Sequence, residues 1–127
     1  MQITIDVTAH GPMFDGRALH ALHEFEEDAK DDIAAQAYAD VMRILNARIK
    51  RPTPYYETQI IIQTMAADRV VHDRGIIYGP WLEGVSSRNQ TTQFRGYAAF
   101  RRAHHAVSVR VPQIVDRSLR RALARMR

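Results

Sequence analysis

The chain has 127 residues, no cysteine, 46% hydrophobic and 25% charged residues, and a formal net charge of +4. That length and ordinary composition describe one globular domain, residues 1–127, and without cysteine there is neither a disulfide framework nor a thiolate metal site. The first residues lack a basic segment followed by an apolar one and no apolar run approaches a membrane span, so the expectation is a protein made and kept in a cytoplasm with no membrane partner.

In chain order, Ile3, Ile5 and Val7 alternate with Thr4, Asp6 and Thr8, the period-two pattern of a half-buried strand. Gly11-Pro12 ends it and Asp15 is the expected N-cap of the next element. From Gly16 to about Lys50 the apolar residues Ala18, Leu22, Phe25, Ala29, Ile33, Ala37, Val41 and Ile44 recur at spacings of three and four. This predicts a long amphipathic helix, with Lys30-Asp31-Asp32 as a candidate break. Its acids crowd the N-terminal part and its bases the end, which suits the helix dipole. Arg51-Pro-Thr-Pro54 stops it, because neither proline supplies a backbone donor.

Residues 55–64 are rich in β-branched and aromatic side chains and predict a strand buried on both faces near residues 60–62. Ala66-Ala67-Asp68 is a short connection to a partner strand over residues 69–73. Arg74-Gly75 then turns into a further short strand at Ile76-Ile77-Tyr78. Gly79-Pro-Trp-Leu-Glu-Gly84 fits one helical turn with Pro80 at its first position. A polar stretch without periodicity follows, and residues 85–95 are expected to order only against a neighbour. A last helix starts at Tyr97, with Pro112 expected to kink or divide it. The predicted fold is α+β: a long N-terminal helix and a kinked C-terminal helix packed on a small antiparallel sheet.

Charge is unevenly placed. Residues 1–50 carry five Lys/Arg against nine Asp/Glu, whereas residues 51–127 carry thirteen against five. Such polarity suits binding of nucleic acid by the basic half, contact between the acidic face of one copy and the basic face of the next, or two solvated faces. On the last helix Arg117, Arg120, Arg121 and Arg125 fall along one side, but no aromatic residues interleave them to make a stacking platform.

Candidate chemistry is sparse. His20 and His23, followed by Glu24, are three apart on a helix, not the four that turns two imidazoles toward one zinc ion, so solvated histidines are the favoured reading. His104 and His105 are neighbours and diverge; His10 and His72 stand alone. The adjacent acids Glu26-Glu27-Asp28 and Asp31-Asp32 read as solvated helix faces rather than an acid–base pair or a magnesium site. No nucleophile elbow, phosphate loop or catalytic cysteine is present, so no enzyme activity, cofactor or metal is expected. Tyr78 and Trp81 with Glu83 fit either core residues with a buried acid paired to an arginine, or anchors of an interface, where Trp, Tyr and Arg are favoured.

The order of these elements, with Tyr78-Gly-Pro-Trp-Leu-Glu83-Gly84, a polar loop, the aromatics Phe94, Tyr97 and Phe100, and a basic last helix, resembles the neck or tail-completion (head–tail joining) proteins of long-tailed double-stranded DNA phages. Tyr78, Leu82, Glu83 and Gly84 occupy the family's first element. Gly84 follows Glu83 directly, Ser86 or Ser87 stands where a Thr is usual, and the prolines of the second element are missing before Phe94. The resemblance implies a structural virion protein located in the neck, and in host cytoplasm before assembly. It implies a homo-oligomeric ring of about six or twelve copies, contacting other neck, connector and tail-tube proteins, with genomic DNA in the lumen as a candidate partner. Residues expected at its contacts are Tyr78, Trp81, Glu83, Arg88, Phe94, Arg95, Arg117 and Arg121. A tail-terminator role, a small basic nucleic-acid-binding protein and a metal-dependent hydrolase built on His20 and His23 are the competing readings.

Overall fold

The computed structural model describes residues 1–7, 16–48, 54–92 and 94–125. The expected turn at Gly11-Pro12, the Asp15 cap, His10 and the stop at Arg51-Pro52-Thr53 lie outside them. The elements are β1 (Gln2–Ile5), α1 (Gly16–Arg48), α2 (Pro54–Thr58), β2 (Ile61–Met65), β3 (Asp68–His72), α3 (Gly79–Glu83), α4 (Arg88–Thr92) and α5 (Ala99–Arg125). The three strands form one antiparallel sheet in the order β1-β3-β2. The fold is α+β, as the sequence predicts.

The helix α1 runs unbroken for 33 residues, through Lys30-Asp31-Asp32. Its predicted stripe is the core: Phe25, Ala29, Ile33, Ala37, Val41 and Ile44 are all buried. Ile33, Ala37, Val41 and Ile44 meet Phe100, Ala103, Val107 and Ile114 of α5 and the inward residues of the sheet, while Phe25 and Ala29 pack with Ala122. Burying a side chain such as Val41, fully covered here, contributes about 1.5–3 kcal/mol. The helix α5 continues through Pro112 as one 27-residue element, so the proline does not divide it. Pro112 lies on the exposed face, where the carbonyl it leaves unpaired can turn to water.

The sheet puts one face on the helices. Ile3 and Ile62 both pair with Val71, and Ile5 and Thr64 both pair with Arg69, so these residues share the helix-facing side. Thr4 and Gln63 both pair with Val70 on the opposite side. The two-residue turn Ala66-Ala67 closes the β2–β3 hairpin with Ala66 at a φ of +53°, a left-handed conformation alanine disfavours. Two buried cations hold it: Lys30 Nζ donates to the Ala67 carbonyl at 2.7 Å, and Arg69 reaches the same oxygen at 3.5 Å.

Three predicted elements differ. Residues 54–58 form the helical turn α2 instead of the start of a strand, with Pro54 preset for a first helical position. That turn aims the Tyr56 hydroxyl inward, where it donates to Asp73 Oδ2 at 2.9 Å. The strand therefore starts at Ile61, and only Ile60 of the 60–62 run is buried; Ile62 is 42% exposed. Nor do Ile76-Ile77-Tyr78 extend the sheet. Arg74 and Gly75 adopt φ values of +60° and +69°, Asp73 Oδ1 accepts the Gly75 N–H at 3.1 Å, and the chain turns away from the strand direction. Residues 85–95 contain α4 and are tied to the protein itself.

Candidate interaction surface

Short-range bonds tie residues 73–92 and 94–100 together at one apex. Asp73 is its foot: nearly fully buried, it accepts from Tyr56 and from the Met1 amino group at 3.3 Å. Burial, followed by the Asp73 carboxylate, pushes the Tyr56 hydroxyl well above the usual tyrosine range. Gly79 packs onto this pair so closely that a Cβ there would sit 2.2 Å from Asp73 Oδ2. One turn later α3 ends at Gly84, left-handed with φ +101°, the C-terminal geometry glycine favours.

Glu83 is buried, 5% exposed, and its carboxylate caps α5 from a distance in sequence: Oε2 accepts the Phe100 N–H at 3.0 Å and Oε1 the Arg101 N–H at 2.7 Å. These amides have no partner inside the helix, and a negative charge there also complements the helix dipole. Its place is below the surface, beneath the residues expected at contacts. Its partners are helix amides, not an arginine. The Leu82 carbonyl accepts Tyr97 N–H at 2.6 Å beside it.

Asn89, which no sequence motif singled out, pins residues 86–94. Its amide donates to the Trp81 and Phe94 carbonyls at 2.9 and 2.7 Å, and its Oδ1 accepts Ser86 N–H at 2.9 Å. All three of these bonds close within the chain. Ser86 Oγ accepts Arg88 N–H in turn. Ser86-Ser-Arg-Asn89 is thus a capping box with Asn in the usual Glu place, and that spacing was the readable signal. The rings of Trp81 and Phe94 lie 4.4 Å apart, and Tyr97 meets the Phe94 ring edge-on at 5.2 Å. Phe94 is a part-buried support for Trp81.

What this scaffold presents is apolar. Ile77 is 96% exposed and Val85 61%, with Tyr78 also exposed. Ile77, Tyr78, Trp81, Ser86 and Arg88 line an open hollow of about 520 Å³. Arg88 and Arg95 are exposed.

The charge asymmetry has an intramolecular use. α1 and α5 run antiparallel, and the acids of one meet the arginines of the other. Arg125 bonds Glu24 at 2.6 Å and also Asp28; Arg121 bonds Asp32; Arg110 bonds Gln36 at 2.8 Å and also Asp40. Ser118, fully buried, donates to Asp32 at 2.9 Å. Arg69 binds Glu27 and, at 2.7 Å, Asp31; its hydrogen bond is the main reason the Glu27 carboxyl lies below its usual range. Exposed ion pairs contribute little each, so their main effect is to set the register of the two helices. Arg121, expected at an interface, is engaged inside the molecule. Arg117 lies on the surface beside Asp32 and Arg121.

The described histidines do not converge on a metal site. His20 Nε2 is 2.9 Å from Glu24 on an exposed helix face, and His72 Nε2 is 2.6 Å from Gln63 Oε1. Among the described residues no group of three His, Asp or Glu side chains could hold a metal ion. No helix among them is long and apolar enough to cross a membrane. Comparison with known proteins gives no match: no family model, no curated protein and no solved structure aligns significantly with the chain.

Proposed function

We propose that the chain is a structural subunit of a tailed-phage neck, assembled as a homo-oligomeric ring that joins the DNA-filled head to the tail and completes the tail. One observation carries this reading: Ile77, Tyr78 and Val85 are left exposed around a half-buried Trp81, on a segment tied down by the bonds of Asn89 and Glu83. A small domain that spends Glu83, Asn89 and Asp73 on fixing such a patch presents it to a partner, since large aromatic and aliphatic groups with a neighbouring Arg are the usual anchors of protein contacts. In this reading the apex docks on a neighbouring neck, connector or tail-tube protein. The Glu83-Gly84 element of the resemblance holds that apex in place. The experiment is Ile77→Asp in an assembling phage system. The variant should fold normally, because the side chain is almost wholly in solvent, yet heads and tails should remain unjoined. Joining at the unmodified yield would remove the apex from the mechanism. Electron microscopy of the arrested products would place the ring, since a tail-terminator role differs from this one only in ring position.

A second reading, nucleic-acid binding, gains support at a different place from the one the sequence suggests. Arg110, Arg121 and Arg125 are bonded to acids of α1, whereas Arg74, Arg95, Arg101 and Arg102 are exposed and have no ion pair among the described residues. Steeply salt-dependent DNA binding lost on Arg101→Glu with Arg102→Glu, and kept on Arg121→Glu, is what this reading requires.

A further inference from the structure

Among the described residues no strand pairs with the outer side of β1 or of β2, and the two edges differ. Four of the five residues of β2 are exposed. Its sequence, Ile61-Ile-Gln-Thr-Met65, carries no charge and no proline, and Ile62 and Met65 are 42% and 51% exposed. Bare edges of this kind normally carry lysine, proline or a bulge that prevents pairing. At the other edge, β1 runs along a groove of about 400 Å³ between the strand and α5, floored by Ile3, Ile5, Val107, Val111 and Val115. The groove adjoins a second hollow of about 280 Å³ beside Met1, Gln2, Phe100 and Arg101, since Ile3 and His104 line both.

We propose that β2 of one copy lies in the groove beside β1 of the next, so that the sheet continues from subunit to subunit. The occupant is a second copy because one chain carries both halves of the fit. β1 and β2 are four and five residues long, and Ile62 shares the helix-facing side with Ile3 through their common partner Val71. A strand added beside β1 in that sense turns Ile62 toward the groove floor, while its unpaired N–H and C=O groups meet those of β1. The two surfaces are different, so the contact is heterologous and repeats until it closes. β1 and β2 are each antiparallel to β3, hence parallel to each other, and subunits turned about one axis join them in parallel. This contact rests on the ring reading above and names the surface that makes the ring.

The absence of cysteine gives a clean test. Thr4 and Gln63, both exposed, lie on the solvent side of the sheet opposite Val70. Thr4→Cys protein is mixed with Gln63→Cys protein of different mass and oxidised mildly. Ile61→Cys and Met65→Cys partners cover a register shift in either direction. A disulfide needs Cα atoms within about 7 Å, so a mixed dimer is expected with one of the three partners and not with Thr4→Cys alone. Ile62→Asp, at an exposed site, should keep native circular dichroism and reduce the ring to monomers in native mass spectrometry. A ring that yields no mixed disulfide in any register overturns the proposal and leaves the ring reading standing. A Gln63→Cys homodimer in place of the mixed product also overturns it, because it means symmetric pairing of two β2 edges. Wild-type protein that stays monomeric at every concentration overturns both.

Discussion

Gly84 and Gly96 meet backbone to backbone: a Cβ built on Gly96 would lie 2.4 Å from Gly84 Cα, and one built on Gly84 would lie 2.3 Å from the Arg95 carbonyl oxygen. Both residues also have φ values, +101° and +83°, that side chains other than glycine rarely adopt. The contact brings the end of α3 against the approach to α5, and so sets the distance across which Glu83 caps that helix.

Alanine at either glycine therefore meets both strain and collision. Gly84→Ala and Gly96→Ala should each destabilise by at least about 1–3 kcal/mol from backbone strain alone, read as a lower urea midpoint. An unchanged midpoint in both variants would mean the two segments do not touch.

Glu83→Ala leaves two helix amides, one buried and one part-buried, without acceptors and should cost about 2 kcal/mol. Glu83→Gln keeps one acceptor oxygen and should cost less. Hydrogen exchange at the Phe100 and Arg101 amides separates a lost cap from a general loosening: these two should exchange faster while the middle of α5 stays protected.

Asn89→Ala removes three hydrogen bonds that hold residues 86–94. Global stability should fall modestly, but Trp81 fluorescence should shift as its contact with Phe94 loosens. Asn89→Asp retains the acceptor for Ser86 N–H and loses both donors, so the fluorescence should move while the Ser86 amide stays protected.

Two groups set the pH limits. The Glu27 carboxyl lies below its usual 4.5, chiefly through its bond to Arg69, so its contribution is complete above that pH and is lost as pH falls through the lowered value. The Tyr56 hydroxyl lies above its usual 10.0, chiefly through burial and then through Asp73. Its contribution is complete below pH 10 and is lost as pH rises beyond it. In urea titrations across pH, Glu27→Gln should flatten the acid limb and Tyr56→Phe the alkaline limb, the latter with a lower plateau because Asp73 loses a donor.

Ala66→Gly should stabilise the hairpin by about 1 kcal/mol, because glycine takes a φ of +53° without the strain alanine carries. A loss of stability would show that the Ala66 methyl makes a contact worth more than that strain.

Periodicity made the long elements readable. The three-and-four spacing of α1 and α5 and the alternation at Ile3 and Ile5 are local consequences of which face is covered. The register of the apex was not readable, because it depends on meetings far apart in sequence: Tyr56 with Asp73, Glu83 with Phe100, Gly84 with Gly96. Residues 55–58 have strand-like side chains, but their position is decided by where the Tyr56 hydroxyl finds its acceptor, which β-propensity does not contain. The acids of α1 looked like a solvated or intermolecular face for the same reason. Their partners Arg110, Arg121 and Arg125 lie at the other end of the chain.

That separation also orders events in time. Glu24 meets Arg125 across 101 positions and Asp28 meets it across 97. During synthesis α1 emerges first; Arg69 of β3 can reach Glu27 and Asp31 and the sheet can cover part of the apolar stripe, but Glu24, Asp28 and Asp32 wait for the arginines of α5. Contacts of such long range form late and slowly. A chain cut short within α5 would keep the sheet-forming segments yet leave Phe25 and Ala29 without the Ala122 they pack against. Completion of the last helix is thus the step that closes the core of the nascent chain.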